Sequence, residues 1–138
     1  MLHDRYPVAA VRHFEDGALL HQHGRKDNAM CHYAFSAECS AKAFAELLHL
    51  SGRAQNHSAK ALLEDISLYM ELSGMLDPKF ALLLGVKDVP ALLFRGHPER
   101  RYGADGTYSS ADLEESRCYA EKLINHVIEA VLNGQMEM

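Results

Sequence analysis

The sequence predicts an all-α fold: an antiparallel bundle of about five helices, with a long ordered loop before the last one. Three observations lead there. Apolar residues recur at steps of three and four through most of the chain, as one face of a helix requires. Capping side chains and glycines bracket those stripes. Pro90, Pro98, Gly96, Gly103 and Gly106 crowd into residues 86–109, where no stripe continues.

The elements follow in order. Pro7 suits a first helical turn, Val8, Val11, Phe14 and Ala18 form a stripe after it, and Gly24 stops the helix. Asp27 is the expected cap of a long second helix reaching about Leu50, with Gly52 beyond it. Its stripe is Met30, Ala34, Ala37, Ala41, Phe44 and Leu48, and the alanines on it let a neighbouring helix pack closely. Ser58 caps a third helix carrying Leu62, Leu63, Ile66, Tyr69 and Met70, closed by Gly74. Asp77 and Pro78 start a short fourth helix through Leu84. Within the long loop, residues 89–94 suggest one extended piece. Ser109 or Ser110 caps the last helix, whose stripe is Leu113, Arg117, Ala120, Ile124, Val127 and Val131, and Gly134 ends it.

A length of 138 residues without a dividing linker or repeat suits one domain, 1–138, with a single core. Hydrophobic residues at 48% and charged ones at 24% exclude a disordered tail, a collagen-like rod and a disulfide-dense miniprotein. The charge balance, 14 basic against 19 acidic residues or −5, excludes a general nucleic-acid glue but leaves room for a local basic patch. Cys31 and Cys39 lie eight residues apart on one helix. At the helical rise that is roughly 12 Å, too far for a disulfide. With Cys118 they read as thiols of a reducing compartment, and no apolar segment suggests a leader or a membrane span, so a cytoplasmic location without membrane contact is expected.

Nine histidines raise the question of metal chemistry. His21 and His23 are two apart and cannot share an ion on a helix. CxxC, HExxH, a calcium loop, a glycine-rich phosphate loop and GxSxG are all missing. Met1, Leu2 and His3 can chelate copper or nickel through the free amine. No cofactor and no dedicated metal site are expected.

Polar residues that interrupt apolar stripes mark the candidate site. Arg117 occupies a core position, either to snorkel and pair with an acid or to offer a guanidinium to a phosphate or carboxylate. Glu38 and Lys42, at i and i+4 on the row Cys31, Phe35, Glu38, Lys42 and Ala45, predict a partly buried ion pair. The loop residues Arg95, His97, Arg100, Arg101 and Tyr102 form the densest positive segment, with a tyrosine placed to stack on a base.

The run from Asn28 to Ala43, with Glu38, Cys39 and Lys42 in an alanine-rich helix, resembles the signature helix of HEPN-domain proteins (higher eukaryotes and prokaryotes nucleotide-binding). The resemblance continues at His57 and at Arg101 and Tyr102. It implies a helical bundle, commonly a homodimer, in bacterial defence or toxin–antitoxin settings with a cognate protein partner. Active members of that family are metal-independent RNases in which an arginine is followed, after four to six residues, by a histidine near the last helices. Here Arg117 and His126 have eight residues between them, and only Arg25 and His32, with six, fit the spacing, in another part of the chain. The function expected is therefore a non-catalytic or atypical HEPN-like protein binding RNA, a nucleotide or a partner protein. Its site would combine Glu38, Lys42, Arg101, Tyr102 and Arg117, with arginines on phosphate, Tyr102 stacking and the Glu38–Lys42 pair holding the cleft. The alternatives are a dimeric RNase toxin using Arg25 and His32, and a structural adaptor without a ligand.

Overall fold

The structure is a computed structural model, and it describes residues 5–49, 59–73, 88–98, 100 and 108–138. Four helices lie among them: α1 (Tyr6–Gln22), α2 (Lys26–Leu47), α3 (Ala59–Ser73) and α4 (Ser110–Leu132). The helical bundle matches the expected class. The short helix expected over residues 78–84 lies outside the described residues.

Two helices end on the same device. Gly24 takes a positive φ of 75°, Gly24 N donates to His21 O at 3.1 Å, and Arg25 N donates to Leu20 O at 2.8 Å. That closure needs a left-handed residue, which glycine supplies without a steric penalty. Gly134 repeats it after α4, with Gln135 N bonded to Ala130 O at 2.8 Å. The tight turn at Gly24 also corrects the start of α2. Arg25, already held by α1, becomes the N-cap and makes no side-chain cap, while Asp27 sits inside the first turn, where its charge complements the helix dipole. At its other end α2 stops at Leu47, short of Leu50, because His49 turns left-handed at φ 61°.

The start of α4 follows the sequence signal. Ser109 Oγ accepts from Asp112 N at 3.1 Å, and the Asp112 carboxylate accepts from Ser109 N at 3.2 Å, a reciprocal capping box. Residues 89–94 are not extended. Leu93 N reaches back to Pro90 O and His97 N to Phe94 O, each at 3.1 Å, so the chain coils through tight turns. The reason is burial: Leu93 is fully enclosed in the core, and an extended segment here has no partner strand among the described residues.

α2 is the centre of the bundle and touches the other three helices. Fifteen of its 22 residues are buried, and residues 36–45 are buried without interruption, so this helix has no solvent face there. Its expected stripe, Met30 to Leu48, packs on Leu62, Leu63 and Ile66 of α3 and on Leu113, Ala120, Leu123 and Val127 of α4. Contacts of Lys42 with Tyr6, Ser36 with Ala10 and Tyr33 with His21 run in opposite senses, so α1 is antiparallel to α2.

The face that α1 turns to α2 differs from the expected stripe. Pro7, Ala10 and Gly17 are buried, whereas Val8, Val11 and Ala18 are half-buried. Small residues take the contact because α2 comes close. A Cβ on Gly17 would lie 2.9 Å from two carbons of the fully buried Tyr33 ring. Alanine raises helix propensity by about 1 kcal/mol over glycine in an open helix. Gly17→Ala is nonetheless expected to destabilise the fold by about 1–2 kcal/mol, because the overpacked ring cannot retreat. Urea denaturation measures this, and a variant as stable as the parent would show that Tyr33 has room to move.

In α4 the expected stripe is displaced by one residue at Arg117. Ser116, its neighbour, takes the fully buried position, and Leu123 adds a core residue beside Ile124. No described helix is long and apolar enough to cross a membrane.

Candidate functional site

The polar residues of α2 are the natural starting point, since a helix buried on every side has to satisfy them internally. Glu38 and Lys42 project from consecutive turns and pair at 3.3 Å, with side chains only 4% and 11% exposed. The second Glu38 oxygen meets His97 Nε2 at 3.0 Å, from a ring that is itself buried. Lys42 Nζ in turn lies 5.6 Å from the centre of the Tyr6 ring. The carboxylate is thus held by a donor on its own helix and by one from the loop before α4, and the ammonium rests between an anion and a π face.

His97 belongs to the loop before α4, and Arg100 fastens that loop. Its guanidinium donates to Leu92 O at 2.7 Å, to Met30 O at 3.2 Å, to Tyr108 Oη at 3.2 Å and to Leu93 O. One side chain therefore ties the loop to the first turns of α2 and to the residue that precedes the α4 cap. The planar fork of arginine suits this, because its donors diverge toward separate carbonyls.

A file of rings continues outward from His97. Phe35 meets His97 edge-on, with centroids 4.5 Å apart and planes at 70°. His13 of α1 stacks on Phe35 at 5.4 Å and 27°. His32 follows, its Nδ1 3.1 Å from His13 Nδ1. Burial, reinforced by His32 and Arg12, holds His13 below the usual imidazole range, so it is neutral at neutral pH. Further along the helix pair, His21 Nδ1 lies 3.0 Å from Tyr33 Oη, and burial raises the Tyr33 pKa to about 12, fixing the phenol as neutral.

Of the residues singled out in the sequence, Glu38 and Lys42 come together as expected. Arg101, Tyr102 and His57 lie outside the described residues. Arg117 stays apart from the Glu38–Lys42 network. It is 28% exposed and clamps Glu114 at 2.6 Å and also Glu121, one turn on either side of it. Those carboxylates raise its pKa further, Glu114 first, and it holds Glu114 below the ordinary carboxylate range in return. Pairing with acids is thus the role the geometry gives Arg117. Arg25 is the exposed N-cap of α2, while His32 is half-buried against His13. His126, the histidine after Arg117, is buried in α4, and burial pushes its pKa down.

His13 and His97 were not singled out as partners, because they reach the α2 row from positions far away in the chain. A spacing rule within one element carries no signal for such pairs.

An open groove lies between the start of α3 and the loop. Lys60 and Glu64 from the start of α3 face Val89, Pro90, Phe94 and Arg95 across a volume of about 590 Å³. That is the size of a small-ligand cleft. Lys60, Glu64 and Arg95 are exposed, and Phe94 is half-buried against the core. Compared with family models, with curated proteins and with solved structures, the chain matches none.

Proposed function

We propose that this chain is an atypical HEPN-like protein that binds RNA or a nucleotide without cleaving it, and that Lys60, Arg95 and Phe94 form the ligand-facing groove. The observation that carries this reading is the groove itself. In a chain of net charge −5 it sets the exposed cations Lys60 of α3 and Arg95 of the loop, with the single carboxylate of Glu64, beside the Phe94 ring, on a loop that Arg100 fastens to α2. Cations meet phosphate and a ring meets a base, which are the two contacts that sequence-tolerant single-strand binding needs. Arg101 and Tyr102 of the same loop extend the reading, with the roles of phosphate contact and stacking. Glu38, Lys42 and His97 act behind the groove by keeping the loop seated on α2. Homodimerisation, a cognate protein partner and a defence or toxin–antitoxin setting belong to the same proposal.

Fluorescence anisotropy with a short labelled single-stranded RNA, and with a labelled nucleotide, tests it. Lys60→Ala with Arg95→Ala should weaken binding and flatten the salt dependence by roughly 1.4 in log–log slope, two single-strand phosphate contacts' worth. Absence of saturable binding to either probe, or binding indifferent to that double variant, would sink the reading. RNA cleavage in the presence of a chelator, lost in Arg25→Ala and His32→Ala, would favour the RNase alternative instead.

A further inference from the structure

We infer that Glu64 makes the groove between α3 and the loop selective for guanine. Its carboxylate accepts hydrogen bonds from N1–H and the 2-amino group of a base lying against Phe94, while Lys60 and Arg95 hold the neighbouring phosphates. This deepens the reading of the groove as an RNA or nucleotide site and rests on it.

A groove built for phosphate alone has no use for an acid. Glu64 nevertheless lines the same space as Lys60, Phe94 and Arg95. It repels each phosphate that the two cations attract, so it weakens binding unless the ligand brings donors to it. The Glu64 side chain is exposed, and among the described residues it has no ion pair or hydrogen-bond partner. An ionised carboxylate only accepts, and it offers two oxygens.

Single-stranded RNA has few donors to offer. Each nucleotide within a strand carries one ribose hydroxyl, because its 3′ oxygen is esterified. The other donors lie on the base edges, which are open in a single strand. Adenine and cytosine each set one amino group beside a ring nitrogen that accepts, and uracil sets one N–H between two carbonyls. Against any of these three, the second carboxylate oxygen meets a lone pair. Guanine alone presents two donors side by side, so each oxygen accepts one. That is the parallel, charge-assisted geometry that makes bidentate carboxylate pairs strong.

The groove has the matching layout. Its volume of about 590 Å³ holds one nucleotide. Ala61 and Ala91 add little bulk to its walls. On the loop side Phe94 is half-buried against the core, and the exposed Arg95 follows it directly, a surface for a base beside a cation for its phosphate. On the other side Lys60 and Glu64 occupy successive turns of α3, at i and i+4. Their Cβ atoms are then about 6 Å apart, within the span of one nucleotide.

The experiment uses the full chain and short labelled uridine tracts that carry one central guanosine, inosine, adenosine, cytidine or uridine. Fluorescence anisotropy should show the guanosine tract binding roughly fivefold to tenfold more tightly than the adenosine, cytidine and uridine tracts, the lower end of what a bidentate base contact gives because the groove is open. Inosine lacks the 2-amino group and should fall between. Glu64→Gln should remove the guanosine advantage and favour adenosine or cytidine, whose donor and acceptor match an amide. Glu64 is exposed, so the variant should fold, and circular dichroism verifies it. Equal affinity for all five tracts, a guanosine preference that survives Glu64→Gln, or a uniform gain across the tracts in that variant would overturn the inference. Replacing the central guanosine by its 2′-deoxy form should leave the preference intact, and a preference lost with that hydroxyl would assign Glu64 to ribose instead. Binding that needs Lys60 and Arg95 yet ignores the base would remove the guanine selectivity alone, whereas no saturable binding to any tract would remove the groove reading with it.

Discussion

Replacing Glu38 by alanine is expected to destabilise the fold by about 3–5 kcal/mol, because it leaves the Lys42 ammonium buried without its anion. The surrounding helix offers no water to take over, since residues 36–45 of α2 are buried throughout. The same change also removes the acceptor of His97 Nε2, so the loop loses one of its fastenings. Three companions make the measurement specific. Glu38→Gln keeps an acceptor for His97 but not the charge, and should recover only part of the loss. Lys42→Met alone should cost less than Glu38→Ala, because the carboxylate retains its histidine donor. Changing both Glu38 and Lys42 to methionine removes the two charges together and should be far less harmful than Glu38→Ala, as apolar replacement of a buried pair often is. Urea denaturation of the four variants gives the comparison. A loss below about 1 kcal/mol in Glu38→Ala would mean that the pair behaves like a solvated surface bridge.

Arg100→Ala should cost about 2–4 kcal/mol, since hydrogen bonds from a charged donor contribute more than neutral ones and here they share one anchor. Its effect should be concentrated in the loop. Helix content should change little, whereas proteolytic cutting between residues 88 and 108 should rise, and RNA or nucleotide binding at the groove should fall with it. Arg100→Lys should not rescue the loop, because a single ammonium cannot reach Leu92 O, Met30 O and Tyr108 Oη at once. A lysine variant that restores both protease resistance and stability would show that charge, and not the fork, is what matters.

Local signals in the sequence translated directly into structure. The Ser109 cap, Gly24 and Gly134 are each read within one turn of backbone, and the alanine stripe of α2 depends only on helical period. Two misreadings came from competition between such signals. Asp27 is a good capping residue, but the closure at Gly24 brings Arg25 to the cap position first. Arg117 continues a step of four from Leu113, yet Ser116 is small enough to sit against the core and turns the arginine outward to Glu114 and Glu121. The candidate site was legible only as far as one helix carries it. Glu38 with Lys42 is an i,i+4 pair, while the third member, His97, lies 59 residues from Glu38, and His13 lies 19 from His32. Pairings of that kind are fixed by how helices and loops dock, and no periodicity announces them.

The turn at Gly24 also bears on the order in which the chain assembles. Only three residues separate α1 from α2, so bringing these two helices together closes a very short loop and sacrifices little chain entropy. Their contacts span less sequence than those of His97 and Arg100 with α2, which favours earlier formation. His97 and Arg100 reach α2 from much further along the chain, so their contacts belong to a later docking step. On this ordering the hairpin forms with the Glu38–Lys42 pair still open to water on one side, and the arrival of the loop and of α4 encloses it. The charges then lose their solvent only when their full set of partners is within reach, which spares the early hairpin the cost of a dry, half-satisfied carboxylate.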